Sequence, residues 1–142
     1  MIEITELDSF SVDDLAEINA LIPQLSGSAS PLLESDLSEI VHSGATRFFV
    51  ARLEGKLVGT LTLAVFRIPT GVRAWIEDVV VDGAARGFGV GEALVSRALQ
   101  AARGDGALTV DLTSRPEREA ANRLYLKCGF ETRNTNVFRF RL

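Results

Sequence analysis

The chain has 142 residues, of which 46% are hydrophobic and 24% charged, and its formal net charge at pH 7 is −4. This composition excludes a disordered chain, and we expect one domain over residues 1–142. The negative charge gives no general attraction to nucleic acid or to an anionic membrane. Because Cys128 is the only cysteine and His42 the only histidine, a disulfide and a cysteine-based zinc site are excluded, and we expect no metal.

The first third of the chain predicts one strand and two helices. Ile2 and Ile4 alternate with acidic and polar residues, which indicates a short strand. This segment lacks the features of a signal peptide. Ser11 followed by Asp14 resembles a capping box and predicts the start of the first helix. A loop at residues 23–31 precedes the second helix. No apolar run approaches the length of a membrane span, so we expect a cytoplasmic protein that binds no membrane.

The remainder of the chain predicts six strands and two helices. The predicted strands are 47–53, 57–67, 72–81, 107–112, 130–133 and 137–142, and the helices are 89–103 and 117–127. Glu54-Gly55-Lys56 is the predicted turn of the first hairpin. The order β-α-α-β-β-β-α-β-α-β-β predicts an α/β (α+β) fold, with a mixed, mostly antiparallel central sheet flanked by about four helices.

The most informative segment is a strand that leads into Arg86-Gly87-Phe88-Gly89-Val90-Gly91 at the start of a helix. The first turn of a helix has amide groups without intrahelical partners, and the helix dipole adds positive potential there. Glycines let a phosphate approach the backbone closely, and Arg86 adds a fixed positive charge. We therefore predict a phosphate site in this loop.

Two well-known phosphate motifs fit the loop poorly. The P-loop is excluded because no Gly-Lys-Ser/Thr follows the glycines. The dinucleotide fingerprint requires glycine where the chain has Glu92, although Asp111 stands where an acid that binds ribose would be expected. A dinucleotide enzyme remains an alternative, and it predicts binding of a nicotinamide cofactor and none of coenzyme A.

The same loop resembles the Arg-x-x-Gly-x-Gly pyrophosphate loop of the GNAT acyltransferase superfamily. Residues 76–81 are similar to the central strand of that family, and Asn-Arg-Leu-Tyr-Leu-Lys-Cys-Gly-Phe at 122–130 is similar to its later helix and following strand. The element order also matches, so the resemblance covers almost the whole chain. It implies a single GNAT domain that transfers acetyl from acetyl-CoA, the cosubstrate, directly to a primary amine of a small molecule or protein.

The resemblance also implies roles for individual residues. In the family the central strand splays from its neighbour, often at a bulge, and the pantetheine arm of the cofactor enters the gap. The residues expected to bind the cofactor are Val79, Val80, Val81, Arg86, Gly87, Phe88, Gly89, Val90, Gly91, Asn122 and Tyr125. Tyr125 matches the tyrosine that acts as general acid in many members. A phenol suits this role because it is protonated at working pH. The alternative for Tyr125 is a core aromatic residue.

Glu77 is the candidate general base. In a regular strand it shares a face with Val79 and Val81, whereas Asp78 points to the other face unless a bulge intervenes. The alternative for Glu77 is a simple ion pair. Cys128 is expected to pack in the core and not to act as a nucleophile.

Two further questions stay open at the level of sequence. A domain of this kind that holds acyl-CoA without turnover is the alternative to an enzyme, because a fold does not guarantee activity. Family members are often dimers, and the edge of the terminal hairpin is a candidate contact for a homodimer.

Overall fold

The computed structural model describes residues 1–142, which form a five-stranded sheet with helices on both faces. The elements are β1 Ile2–Glu6, α1 Val12–Leu25, α2 Glu34–His42, β2 Thr46–Leu53, β3 Lys56–Ile68, β4 Gly71–Val81, α3 Val90–Gly104, β5 Thr109–Asp111 and α4 Glu119–Lys127. A short 3-10 turn, Gly83–Ala85, connects β4 to the loop before α3. None of the helices is long and apolar enough to cross a membrane.

The sheet is antiparallel from β1 to β4 and parallel between β4 and β5, in the order β1-β2-β3-β4-β5. Glu54 and Gly55 join β2 to β3 with φ angles of +51° and +80°. Positive φ at both central residues is what a tight hairpin turn requires, because its twist then matches the twist of the strands. The predicted mixed α/β class and the mostly antiparallel sheet are confirmed.

Each face of the sheet has its own core. The larger cluster lies under α3 and α4 and includes Phe49, Leu61, Leu94 and Tyr125. The smaller cluster lies under α1 and α2 and includes Ile18 and other residues with fully covered side chains. Strand residues alternate between the two clusters because successive side chains of a strand point to opposite faces.

The predicted loop at residues 23–31 begins later than expected. Helix α1 continues through Pro23 and ends at Leu25, where the Ser26 amide donates to the Ile22 carbonyl at 2.9 Å. A proline lacks one helical donor, but the neighbouring hydrogen bonds of this last turn still form. Asn19 anchors the following segment, since its side chain bonds both the N–H (2.8 Å) and the C=O (3.0 Å) of Leu32.

The prediction of a terminal hairpin at 130–133 and 137–142 is wrong, because residues 130–142 contain no strand. The last backbone hydrogen bond in this region runs from the Phe130 amide to the Tyr125 carbonyl, at 3.0 Å. Gly129 has φ +100°, and beyond Phe130 the chain stays exposed. A local alternation of apolar residues indicates a strand, but a strand forms only where a partner backbone is available.

Candidate active site

A β-bulge interrupts β4 at the end that leads to the glycine loop. The register of β4 against β3 changes between Thr60 and Thr62, so one residue of β3 opposes Asp78 and Val79. Asp78 has φ +51°, a left-handed conformation that only a few non-glycine residues adopt. An extra residue of this kind bends the strand and disrupts the pairing locally, and bulges are common beside active sites.

The bulge corrects the expected direction of Glu77. Ile76, Val79 and Val81 all pack with the cluster under α3, whereas Val80 belongs to the cluster under α1. Since successive residues alternate, Glu77 lies on the α1 face with Val80 and not on the face of Val79 and Val81. The added residue at the bulge places the side chains before it on the opposite face, relative to those after it, from the face that a regular strand would give them.

A gap opens between β4 and β5 beyond their third pair. The two strands pair only from Arg73–Thr109 to Trp75–Asp111, so residues 76–81 of β4 have no partner on that side. The Asp82 amide donates to the Val58 carbonyl of β3 at 2.7 Å. Because backbone groups alternate along a strand, those of Val79 and Val81 face the open side of β4.

The glycine loop leads directly into the first turn of α3. Gly87 and Gly89 have φ angles of +87° and +80°, and a Cβ at either position would meet no atom within 4 Å. Gly89 caps α3 without a side chain, so the first amides of the helix have no protein partner there. Arg86 is exposed, and its guanidinium makes no hydrogen bond or ion pair within the chain. The loop therefore presents open space, helix amides and a free guanidinium together.

Gly91 differs from the other two glycines of the loop. A Cβ on Gly91 would lie 2.9 Å from Cδ2 of Leu124 and 3.8 Å from Cγ2 of Val81. Its missing side chain lets α3 pack closely against α4, so packing by itself requires a glycine at this position. Val80 and Val90 are also buried, so their side chains are not available to a ligand.

Tyr125 is the aromatic residue that joins α4 to the core under the gap. It is 7% exposed, and its ring meets the ring of Phe130 edge-on with centroids 5.9 Å apart. Burial raises the pKa of the Tyr125 phenol, while the charge of Arg118 opposes this effect. The phenol hydroxyl makes no hydrogen bond within the protein. Ser114 Oγ is the only side-chain polar atom that is both fully enclosed and without a partner, so the phenol oxygen keeps some contact with solvent.

Two carboxylates stand exposed at the bulge. Glu77 and Asp78 are both open to solvent, and neither forms an ion pair or a hydrogen bond through its side chain. The ion pair that was the alternative for Glu77 is not formed in this structure. An unpaired carboxylate with an open approach is free to accept a proton from a ligand.

The other residues singled out from the sequence lie in different environments. Asn122 donates from Nδ2 to the Arg115 carbonyl at 3.1 Å, so it holds the loop before α4, while its side-chain oxygen stays free. Phe88 is 61% exposed at the tip of the glycine loop. Cys128 is half-buried, and burial together with the charge of Glu92 raises the pKa of its thiol. A thiol with a raised pKa is a weak nucleophile, in line with the expected packing role.

Sequence reasoning missed the pair that holds the entrance to the glycine loop. Asp82 Oδ1 accepts the Ala84 amide at 3.1 Å and Gln24 Nε2 at 3.3 Å, and Gln24 Oε1 accepts the Gly83 amide at 2.9 Å. The hydrogen bond from the Ala84 amide lowers the pKa of Asp82, helped by Gln24. An aspartate two residues before a turn is a recognisable local cap, but nothing local identifies Gln24, which comes from α1.

No group of three or more His, Cys, Asp or Glu side chains lies close enough to hold a metal ion. The groups that the structure offers for chemistry are the unpaired backbone of β4, the first turn of α3, the buried phenol of Tyr125 and the exposed carboxylates at the bulge.

Known proteins are similar to this chain in sequence and in fold. A family model described as the acetyltransferase (GNAT) family matches residues 13–130. Glucosamine 6-phosphate N-acetyltransferase 1 of Oryza sativa subsp. japonica is 45% identical over 62 residues, which are 44% of this chain and 36% of that protein. The chain thus spans about a third of the length of the curated relatives it matches.

Solved structures cover the whole chain. An acetyltransferase of Trypanosoma brucei has a TM-score of 0.81 and 27% identity, with all of both chains covered. A protein described as a transcriptional regulator from Bacillus halodurans C-125 has a TM-score of 0.82 and 26% identity over the same full extent. The bulged fourth strand, the open gap beside it and the glycine loop on α3 agree with the family match, and the chain belongs to the GNAT acetyltransferase family.

Proposed function

We propose that the chain binds acetyl-CoA in the gap between β4 and β5 and transfers the acetyl group to a primary amine. The observation that carries this proposal is the continuity of the gap with the glycine loop. A long ligand with an extended arm at one end and phosphates at the other fits such a path, because the gap presents backbone groups and the loop presents an anion site.

The extended arm of the cofactor is a pantetheine with two amide groups. In the proposed complex these amides bond the unpaired backbone of Val79 and Val81, as an added strand would. The side chains of both valines stay in the core under α3, so the contact requires no repacking. Beyond the gap, the amides at the start of α3 and the guanidinium of Arg86 bind the pyrophosphate.

The transfer requires two proton movements. The neutral amine attacks the carbonyl carbon of the thioester, and as the carbon–nitrogen bond forms its nitrogen gives up one proton to Glu77, directly or through one water. The carbon–sulfur bond breaks, and Tyr125 donates its phenolic proton to the departing thiolate. The proton held by Glu77 and the proton missing from Tyr125 are then exchanged with solvent, so the enzyme returns to its starting state.

The position of Tyr125 supports the acid role. Burial of the ring favours the neutral phenol and raises its pKa. The hydroxyl has no partner within the protein, so it is free to donate to a ligand. Attack by the amine on the thioester needs no covalent intermediate with the enzyme, and the raised pKa of Cys128 argues against a thiolate nucleophile at neutral pH.

The experiment that tests this function is release of free coenzyme A from acetyl-CoA in the presence of an amine panel. The panel contains glucosamine 6-phosphate, an aminoglycoside, a polyamine and a peptide with a free amino terminus. We expect thiol release with at least one of them, and an acetylated product by mass spectrometry. Saturable acetyl-CoA binding without turnover on any amine would contradict transfer and favour a binding module.

A further inference from the structure

The segment that joins β4 to α3, residues 82–89, is held mostly by its own backbone. The Ala85 amide donates to the Asp82 carbonyl at 2.8 Å, and this bond closes the short turn after β4. The next amide, that of Arg86, donates to the Gly83 carbonyl at 3.4 Å. Ala85 is buried in the larger core cluster, and the residues between it and α3 are all exposed. The turn is therefore the base from which the proposed phosphate site extends.

Gln24 on α1 is the only side chain from another element that hydrogen-bonds this segment. Its Oε1 accepts the Gly83 amide at 2.9 Å, and its Nε2 donates to Oδ1 of Asp82 at 3.3 Å. The same Asp82 oxygen accepts the Ala84 amide at 3.1 Å. Both ends of one amide group are thus used on two consecutive residues, which fixes the direction of the turn as well as its distance from α1.

Helix α1 is a firm support for this side chain. Ile18 and Leu21 of the helix are buried in the smaller core cluster. Glu17, two helical turns before Gln24 and on the same face, accepts the Leu57 amide of β3 through Oε2 at 2.8 Å. The helix is therefore fixed to the sheet by packing and by a hydrogen bond, and Gln24 connects this fixed helix to the turn.

Gln24 contributes little to the core itself. Its side chain is exposed and borders a cavity of about 200 Å³, which Lys56 and Asp82 also line. A substitution at an exposed position usually changes stability only slightly. The hydrogen bonds of Gln24 therefore serve the conformation of the turn more than the stability of the fold.

The glycine loop needs a fixed base of this kind. Gly87 and Gly89 have φ angles of +87° and +80°, and glycine gives the backbone access to many other conformations. The apparent affinity for a ligand falls in proportion to the fraction of the protein that is in the binding conformation. A turn that is free to move would redirect Arg86 and lower that fraction.

We propose that Gln24 is a positioning residue for acetyl-CoA, because it holds the turn and thereby keeps Arg86 and the glycine loop in the conformation that binds the pyrophosphate. Its effect is confined to the phosphate end of the cofactor. The backbone of β4 as far as Asp82 is held separately, by pairing with β3 and by the hydrogen bond from the Asp82 amide to the Val58 carbonyl. This inference rests on the proposed function, since it requires the glycine loop to be the phosphate site.

The first test compares the binding of two thioesters by titration calorimetry. S-acetylpantetheine has the extended arm of acetyl-CoA but no phosphate, so its binding does not depend on the glycine loop. Gln24→Leu should raise the Kd for acetyl-CoA about five- to tenfold, as expected when the binding-competent fraction falls to about a fifth to a tenth. The Kd for S-acetylpantetheine should stay within about twofold of the wild-type value, and the midpoint of thermal unfolding within about 4 °C.

The matched control is Gln100→Leu, at an exposed position of α3 that makes no side-chain hydrogen bond, and it should change neither Kd. Equal acetyl-CoA affinities of the wild type and Gln24→Leu would overturn the inference and leave the proposed function intact. Equal losses for both thioesters would also overturn it, because they would show a general disturbance of the site. A wild-type protein that binds no acetyl-CoA would contradict the proposed function itself, and the inference with it.

The second test exchanges the roles of the two side chains. Gln24→Glu keeps an acceptor for the Gly83 amide but places a second carboxylate against Asp82, so acetyl-CoA should bind more weakly. Adding Asp82→Asn supplies a donor for this carboxylate and keeps an acceptor for the Ala84 amide, so the Kd should return to within about twofold of the wild-type value. A double variant that binds no better than Gln24→Glu would overturn the role of this hydrogen-bonded pair.

Discussion

Gly91 and Leu124 pack so closely that a Cβ on Gly91 would lie 2.9 Å from Leu124 Cδ2. This contact joins the first turn of α3, which carries the proposed phosphate site, to α4 at the residue before Tyr125. The position of the anion site relative to the phenol is therefore fixed by packing between two helices. Small displacements between catalytic groups are costly because productive geometry is narrow.

The first prediction concerns this contact. Gly91→Val adds two methyl groups and a branched Cβ where Leu124 stands, and overpacking of this kind costs about 1–3 kcal/mol of the free energy of unfolding. Denaturant unfolding of Gly91→Val, of Leu124→Ala and of the double variant completes a double-mutant cycle. We expect the double variant to be more stable than the sum of the single effects, because Leu124→Ala makes room. Strict additivity would show that the two residues do not interact.

The second prediction concerns the capping box of α1 and its dependence on pH. The Asp14 carboxylate accepts the Ser11 amide at 3.0 Å and Arg52 Nη2 at 2.8 Å. The hydrogen bond from the Ser11 backbone, followed by the contact with Arg52, lowers the pKa of Asp14. A lowered pKa in the folded state adds stability above the unfolded value, and this stability is lost as pH falls through the folded value.

Asp14→Asn should accordingly destabilise the protein by about 1 kcal/mol at pH 7. The difference from the wild type should shrink as pH falls below about 4, the ordinary range of an aspartate pKa. Thermal unfolding at a series of pH values measures both effects, and Asp13→Asn in the same helical turn is the control. A difference that stays constant down to low pH would contradict the assignment.

The third prediction concerns Tyr125 as general acid. Tyr125→Phe keeps the ring contact with Phe130 and removes a hydroxyl that makes no hydrogen bond in the protein. Stability should therefore change by less than about 0.5 kcal/mol, whereas kcat should fall by about 10²–10⁴-fold. Steady-state kinetics measure kcat, and acetyl-CoA titrations measure the affinity for the cofactor, which should be unchanged.

The pH dependence of the same variant gives a second readout. The phenol acts as acid only while protonated, and its pKa is raised by burial. The wild-type kcat should consequently stay high up to pH about 10 and fall above it, because deprotonation removes the donor. Tyr125→Phe should lose the fall that belongs to the phenol. A variant with wild-type kcat and the same alkaline decline would assign the proton to another group.

The fourth prediction concerns the carboxylates at the bulge. Glu77→Gln should lower kcat/KM by about 10²-fold or more, because the neutral amide of glutamine cannot act as the base. Asp78→Asn is the matched control, because asparagine tolerates the positive φ of this position and keeps the bulge. If Asp78→Asn has the larger effect, the base is Asp78, and the role assigned to Glu77 is wrong.

Much of the fold follows from local sequence signals. Ser11 and Asp14 predict the start of α1, Glu54 and Gly55 predict the first hairpin turn, and the structure confirms both. The glycine loop before α3 is also local, because its chemistry depends on residues 86–91 and on the helix that follows. In each case the residues that encode the feature lie within a few positions of it.

Features that depend on distant partners could not be predicted in the same way. The face of Glu77 is set by a bulge that exists only in the pairing of β4 with β3. The reason for Gly91 is Leu124, which comes from another helix. Residues 130–142 have the alternation of a hairpin, but no residue after Phe130 forms a backbone hydrogen bond within the chain.

Titration calorimetry of acetyl-CoA binding to the wild-type protein and to Arg86→Ala tests most directly the central claim, that the glycine loop is a cofactor site. The exposed Arg103 at the far end of α3 supplies the matched control, Arg103→Ala. Loss of charge-assisted hydrogen bonds costs about 1.5–3 kcal/mol, so Arg86→Ala should raise the Kd by about tenfold or more, and Arg103→Ala should leave it unchanged. Absence of binding by the wild type at millimolar acetyl-CoA, or equal affinities of the two variants, would contradict a cofactor site in the glycine loop.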